Sequence, residues 1–302
     1  MEQLLSLAFD NLSSYDGPKI RKGLRQVEGL LANICLSRAQ SRDRRASVMS
    51  RDPSQTEDQE QLPPKTLDEI ADDPAFYEFF KLQEGFEWNV AMRLVGTLDR
   101  LLARGSDGSN DLLILGALDL VQGVMLLHPP SKALFSREIN MNLLLDLLEP
   151  DFCPAIQSAT VVTLVTALID TPRNTRAFES LDGLLTMTSL FRNRCTARDV
   201  KLKLIEFLYF YLMPEVPSIP AAQQDPHLPG LLQRSPSKLA KAFAFANGGG
   251  GNGRDGGRPR SAGDGETRSQ EEKQALLGRH LSSVQELVED LRQNTPFGGV
   301  VG

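Results

Sequence analysis

The three cysteines are the residues of this chain most directly tied to a testable chemistry, because a thiolate can act as a nucleophile or a metal ligand. A cysteine-dependent phosphatase needs an arginine six positions after its nucleophile to hold the phosphate. The residues six positions after Cys35, Cys153 and Cys195 are serine, alanine and lysine, so this arrangement is absent. The cysteines are odd in number, widely spaced and without a C-x-x-C pair, which indicates no disulfide or zinc framework. We expect reduced thiols, as in the cytosol or nucleus.

Neither the histidines nor the common catalytic motifs indicate a particular reaction. The three histidines, His128, His227 and His280, are too scattered to indicate a metal centre or a cluster of bases. His128 is predicted to cap the C-terminus of a helix, where a positive charge is favourable. No G-x-S-x-G, H-E-x-x-H or Walker loop is present, and a formal G-x-G-x-x-G match at residues 251–256 follows no strand and opens no helix. We therefore expect no enzyme activity, no catalytic residues, no cofactor, no metal and no small-molecule substrate.

Two serines lie in patterns that protein kinases recognise. Ser47 ends the basophilic pattern Arg-Arg-Ala-Ser, and Ser235 begins Ser-Pro-Ser-Lys, a pattern of proline-directed, cell-cycle-type kinases. A phosphate on Ser235 would add about −1.5 to −2 charge between Arg234 and Lys238, which could reverse a local basic patch. Both serines are candidate phosphorylation sites, and Ser235 is the preferred point of regulation.

Two polar stretches divide the chain. Residues 39–66 contain almost no large apolar side chain, so a disordered insert is predicted there. Residues 214–270 are of low complexity and glycine-rich in their second half, which predicts a disordered linker. The net charge of −6 argues against a nucleic-acid partner. No apolar run approaches the roughly 18 residues of a membrane span, so no span is expected.

The sequence between these stretches predicts helices that repeat. In residues 116–148, apolar side chains recur at helical spacing up to a corner at His128-Pro129-Pro130, and a second apolar helix follows. The same order returns downstream, with Pro130 and Pro172 42 positions apart (172 − 130). A helical unit of about 40–47 residues is typical of armadillo and HEAT repeats. We therefore predict an all-α fold, an armadillo/HEAT-like helical solenoid over residues 1–213.

The N-terminal region supplies further helices and an aromatic cluster. Residues 1–37 predict an antiparallel pair of amphipathic helices, and Asp72-Asp73-Pro74 predicts a helix start. The aromatic run that follows holds the only tryptophan, Trp88. This side chain is either an anchor in the core or a partner-facing hot spot, since tryptophan carries disproportionate interface energy.

The chain is predicted to fold once more after the linker, as an amphipathic helix over residues 271–293. Its apolar residues step by 4, 3, 4 and 3 positions, which is a heptad seam about two heptads long. Such a helix can pack back onto the solenoid or bind a partner helix. The seam consists of Leu277, Leu281, Val284, Val288 and Leu291.

Two blocks of this sequence resemble a known family. Residues 79–94 read FFKLQEGFEWNVAMRL, and residues 126–148 hold LLHPPS, then LF, then REINMNLLLDLL. Both look like the fungal cell division control protein 14 of the septation initiation network. The similarity extends over roughly residues 1–213. An unrelated phosphatase shares the name, and the missing C-x5-R loop supports the non-phosphatase family.

The resemblance implies a non-catalytic, regulatory subunit of a heteromeric complex. Its partner would be a protein kinase of the germinal-centre type, in the cascade that triggers septum formation and cytokinesis, acting in the cytoplasm and at the spindle pole body. Two rivals stay open, a generic armadillo-type scaffold in trafficking or polarity and an enzyme of unknown class. Polar members of the two blocks and the tryptophan are candidate partner-binding residues, with a buried structural role as the alternative for each polar member: Glu87, Trp88, Asn89, Arg93, His128, Arg137, Glu138 and Asn140.

Overall fold

A computed structural model of the chain describes residues 1–36, 65–105, 108–215 and 267–283. The regular elements in these ranges are all helices, so the predicted all-α class is confirmed. A 3₁₀ helix, Pro129–Ser136, lies between α6 and α7. The α-helices are α1 (Glu2–Leu12), α2 (Gly17–Leu36), α3 (Leu67–Ala71), α4 (Pro74–Glu84), α5 (Val90–Leu102), α6 (Asp111–Leu127), α7 (Glu138–Asp146), α8 (Pro154–Leu168), α9 (Pro172–Ser180), α10 (Gly183–Arg192), α11 (Arg198–Leu212) and α12 (Gln270–Gly278).

The N-terminal helices form the predicted hairpin. Helices α1 and α2 pack closely on each other, and they lie against α5 and α6 respectively. The close approach depends on Gly23, because a Cβ there would lie 2.9 Å from both the Cγ and the backbone nitrogen of Leu12. At the next helix start, Asp73 is the N-cap of α4 as predicted, and its carboxylate accepts a 2.8 Å hydrogen bond from the Ala75 amide.

Four long helices form the centre of the molecule. Helices α5, α6, α8 and α11 pack side by side in chain order, and the shorter helices that follow α6 and α8 pack on one another. Each of these two units runs from a long apolar helix through a proline corner to two short helices. The core is continuous from α1 to α12. This arrangement is consistent with a helical solenoid.

The two proline corners are in direct contact. Asn174, fully buried, donates from Nδ2 to the carbonyl oxygen of Lys132 at 2.8 Å and to that of Ala167 at 2.7 Å. In return, the Lys132 ammonium donates to the carbonyl oxygen of Ile169 at 3.2 Å. Lys132 and Asn174 are again 42 positions apart (174 − 132), so the sequence repeat corresponds to stacked units in space.

The edges of the polar stretches differ from the sequence boundaries. The residues from 37 to 64 lie outside the described part of the chain, but Lys65 and Thr66 belong to the fold. Lys65 donates from its backbone to Cys35 at 3.3 Å and from Nζ to Ile34 at 2.9 Å. Thr66 caps α3 in a reciprocal capping box with Glu69.

The C-terminal helix is shorter than predicted. Helix α12 ends at Gly278, a poor helix former, and turns follow up to Ser283, so a continuous helix to residue 293 is wrong over these residues. The predicted seam beyond Leu281 lies outside the described residues. Leu277 is fully buried and Leu281 is 7% exposed, and α12 packs on α11. The described part of the segment therefore packs back onto the helical stack.

Candidate functional site

The two sequence blocks meet at a buried polar cluster. The side chain of Ser131 lies 2.8 Å from Nδ1 of His128 and accepts a 3.4 Å hydrogen bond from Nδ2 of Asn89. The Phe80 ring contacts the His128 ring edge-on, with 4.6 Å between centroids. The first block therefore meets the second through packing and hydrogen bonds. His128 belongs to the interior, whereas Asn89 lies at the edge of the cluster and is partly accessible.

His128 occupies the predicted helix end in a different charge state. It is the C-cap residue of α6 and is only 2% exposed. Burial lowers the pKa of His128 to about 4, so the ring is neutral near pH 7. The predicted favourable charge at the helix C-terminus is therefore wrong, because burial of the ring outweighs the helix dipole.

Asn89 and Asn140 are engaged with the backbone. Asn89 caps α5, its Oδ1 accepting from the Met92 amide at 2.9 Å, and its Nδ2 donates to the carbonyl oxygen of Gln83 at 2.8 Å. Asn140 donates from Nδ2 to the carbonyl oxygen of Leu134 at 2.7 Å, which fixes the corner before α7. Both amides thus stabilise the local fold, and only part of each side chain remains accessible.

Trp88 lies between the N-terminal hairpin and α5. Its ring stacks on Phe9, with centroids 6.2 Å apart and planes inclined by 27°. The Arg93 guanidinium lies 5.4 Å from the same Phe9 ring centroid. Trp88 is half-buried. These contacts favour the core-anchor interpretation, while Glu87 beside it is exposed.

Two of the candidates, Arg137 and Asn140, line an open groove. Arg137 and Glu138 are exposed at the start of α7, and Arg137 lines a groove of about 200 Å³ between α5 and α7. Ile139 is 73% exposed at this groove, as are several other large apolar side chains elsewhere in the described residues. The other lining residues are Met92, Val95, Gly96, Asp99, Leu134, Asn140 and Leu143.

Local sequence explains why the groove is open. Gly96 has no side chain, and a Cβ there would meet only the Arg100 guanidinium at 3.8 Å, so nothing fills the space above α5 at this point. Helix α7 buries Met141 and Leu144, which leaves Ile139 on its outer face. The sequence predicts an apolar helix over this stretch but does not show that Ile139 is exposed. The available signal is a short helix whose apolar residues spread over more than half of its circumference.

Several other sequence candidates fall outside the described residues. Ser47, Ser235, His227 and residues 251–256 lie outside the described part of the chain, so their assignments stay predictions. Cys35 and Cys153 are half-buried and Cys195 is exposed, and all three are free thiols. Within residues 1–36, 65–105, 108–215 and 267–283, no cluster of three or more His, Cys, Asp or Glu could hold a metal ion. In the same ranges, no helix has the length and apolar character needed to cross a bilayer.

Fold and groove together define a class of all-α, stacked-helix protein with an open surface groove. The family described as "Cell division control protein 14, SIN component" matches residues 1–297, and the chain belongs to this family. The protein is thus a component of the septation initiation network in cell division control. "Cell division control protein 14" of Schizosaccharomyces pombe (strain 972 / ATCC 24843) is 27% identical over 306 residues, covering 99% of this chain and 97% of that protein. No solved structure matches the chain.

The family match is longer than the sequence blocks indicated. The resemblance was expected to end near residue 213, but the match continues to residue 297 and includes the C-terminal segment. The fold gives a physical reason, because α12 contributes Leu277 to the common core.

Proposed function

We propose that this chain is a non-catalytic adaptor that binds a germinal-centre-type protein kinase of the septation initiation network. The observation that carries the proposal is the family match over residues 1–297. In this role the protein would support septum formation and cytokinesis, in the cytoplasm and at the spindle pole body. Its contribution would be association, with the helical stack presenting an extended surface to the kinase.

The groove between α5 and α7 is the surface that best fits such a partner. Its centre is apolar, with Met92 and Ile139 accessible, and Asp99 and Arg137 carry opposite charges at its edge. An apolar centre with a polar rim is the usual anatomy of a protein interface. A branched apolar side chain of the partner would fill the space above Gly96.

Two ionisable groups with shifted pKa values lie away from the groove, which supports a non-catalytic role for the groove. The pKa of His128 is lowered and that of Glu179 is raised, in each case mainly by burial. Both groups contact other residues of this chain, Ser131 and Tyr211 respectively, and neither lines the groove. Catalytic sites instead place perturbed groups in a cleft, where a substrate can reach them.

Co-purification from dividing cells tests the proposal. We expect tagged wild-type protein to retain a stoichiometric germinal-centre-type kinase, and Ile139→Asp to lose at least nine-tenths of it. Leu202→Asp is the matched control, because Leu202 is an exposed leucine on α11 outside the groove. If the Ile139→Asp protein retains the kinase, the kinase contact lies elsewhere on the stack. Absence of any kinase from the wild-type preparation would favour the generic scaffold in trafficking or polarity.

A further inference from the structure

The last helix of the stack is joined to a distant part of the chain. Residues 267–281 lie against α11, although residues 216–266 separate the two in sequence. The contact begins with a short backbone pairing, in which the Glu215 amide donates to the carbonyl oxygen of Arg268 at 3.4 Å. The Arg268 amide donates back to the Glu215 carboxylate at 3.0 Å. The segment is therefore held in one register from its first residues.

Two buried carboxylates on the stack receive cations from this segment. Arg268 Nε lies 3.0 Å from Glu179 Oε2, and Lys273 Nζ lies 3.2 Å from Glu215 Oε1. The Glu215 and Lys273 side chains are 8% and 6% exposed, so their ion pair is shielded from water, whereas Arg268 is 33% exposed beside the buried Glu179. Arg176 of α9 bridges the two carboxylates from the side of the stack.

The aromatic surface of α11 completes the contact. The Lys273 ammonium lies 5.2 Å from the centroid of the Tyr211 ring and donates to the carbonyl oxygen of Met213 at 3.0 Å. The Tyr211 hydroxyl donates to Glu179 at 2.7 Å. Further along the segment, Leu277 and Leu281 are buried. The segment thus supplies two cations followed by two leucines to a surface of two acids and an aromatic ring.

Without the segment, the two carboxylates at this end of the stack would lack part of their charge compensation. Glu179 would keep Arg176 and the Tyr211 hydroxyl and Glu215 would keep Arg176, so two carboxylates would share one cation and carry an excess negative charge. Burial already raises the pKa of Glu179 and lowers the pKa of Lys273, and the opposite charges across the contact partly offset both effects. The surface of α9 and α11 therefore has an excess negative charge beside an aromatic ring, which favours a cationic ligand.

We propose that the α11 end of the stack is a binding site for amphipathic helical segments, and that residues 267–283 are its ligand in cis. The ligand class is a peptide with the spacing R-x4-K-x3-L-x3-L, as in Arg268, Lys273, Leu277 and Leu281. A partner carrying this spacing would compete with the cis segment for the site. The proposal is independent of the groove between α5 and α7, which shares no residue with this site.

Peptide exchange on the full-length chain tests this site. A protease cleavage sequence is placed within residues 216–266, which removes none of the contacts above, and the purified protein is cut. We expect the two fragments to elute together in size-exclusion chromatography. A labelled synthetic peptide of residues 267–283 should then displace the C-terminal fragment. Fragments that separate on cutting would overturn the proposal.

Changes confined to the peptide keep the stack itself intact. The Lys273→Glu and Leu277→Asp peptides should bind at least tenfold more weakly than the wild-type peptide. The Arg279→Glu peptide is the matched control, because it has the same charge reversal at an exposed position of the same segment. Equal binding of the Lys273→Glu and Arg279→Glu peptides would overturn the assigned cation site. An uncut chain that is a dimer and dissociates on Lys273→Glu would overturn occupation in cis.

Discussion

Asn174 donates a 2.8 Å hydrogen bond to the carbonyl oxygen of Lys132, a residue 42 positions earlier at the equivalent corner of the preceding unit. The same amide reaches Ala167 at the end of α8. One buried side chain thus joins two consecutive units and closes a helix end. This hydrogen bond therefore connects two units of the sequence repeat directly.

Removing this amide should weaken the stack. Asn174→Ala leaves two buried carbonyl oxygens without their donor, so we expect a loss of about 2–4 kcal/mol in the free energy of unfolding. Asn142→Ala is the control, because Asn142 is exposed on α7, and it should change stability by less than about 0.5 kcal/mol. Urea unfolding followed by circular dichroism measures both. Equal midpoints would mean that the corners are not coupled.

Replacing each of two glycines of α2 with alanine should change the stability of the protein in opposite directions. In Gly23→Ala the new Cβ would lie 2.9 Å from Leu12, so we expect a loss of about 1–3 kcal/mol as α1 moves away. A Cβ at Gly29 meets nothing within 4 Å, and Gly29→Ala should gain about 0.5–1 kcal/mol from the better helix propensity. Thermal melting distinguishes the two. A stabilised Gly23→Ala would contradict the close contact of the hairpin.

The neutral state of His128 should make the fold sensitive to acid. Its pKa is about 4 in the folded protein and near 6.5 in the unfolded chain, so between pH 6.5 and 4 mainly the unfolded chain takes up the proton. The contribution of the neutral His128 ring to the free energy of unfolding is complete above pH 6.5 and is lost as the pH falls toward 4. His128→Asn does not titrate and should show a shallower decline over this window. Urea midpoints measured from pH 7.5 to 4 test it, and identical slopes would contradict the burial of a neutral ring.

The stability of Trp88 and Phe86 variants should distinguish a ring that anchors the core from a ring that lies at the surface. Trp88→Ala removes the stacking on Phe9, and we expect a loss of about 2–3 kcal/mol because the ring is half-buried. Phe86 is 77% exposed, so Phe86→Ala should stay within about 0.5 kcal/mol of the wild type. Melting curves of the two variants give the comparison. A stable Trp88→Ala protein that loses its partner would restore the hot-spot interpretation.

Groove filling offers a test that leaves the core untouched. In Gly96→Leu the side chain would occupy the space beside Ile139, while the helix gains propensity. We expect unchanged or slightly higher thermal stability together with loss of the proposed kinase from the purified complex. Gly29→Ala provides a control for glycine removal outside the groove. Full kinase retention by a stable Gly96→Leu protein would exclude the groove as the contact.

Local patterns in the sequence were sufficient for much of the fold. Proline at residues 130 and 172 marks both corners, because it cannot continue a helix, and the 42-residue spacing follows from them. Asp73 before Pro74 correctly marked the start of α4. These features depend on neighbouring residues alone, which is why one sequence reveals them.

Features that depend on distant contacts could not be found in this way. The pairing of Arg268 with Glu179 joins residues 89 positions apart (268 − 179), and no local pattern predicts it. The sequence does not predict the neutral state of His128, because its burial depends on Phe80, which lies 48 positions earlier (128 − 80). The groove required knowing which side of α7 faces α5. In each case the missing quantity was the relative position of two helices.

The contacts of Lys65 have a consequence for how this chain can vary in length. Lys65 follows the undescribed residues 37–64, and its backbone and side chain both bond to the last turn of α2. The two described ends of the chain on either side of that stretch therefore lie close together. Doubling the length of a closed loop costs only about 0.6 kcal/mol. Insertions between residues 37 and 64 should therefore be tolerated, which makes this position suitable for an internal affinity tag or fluorescent domain.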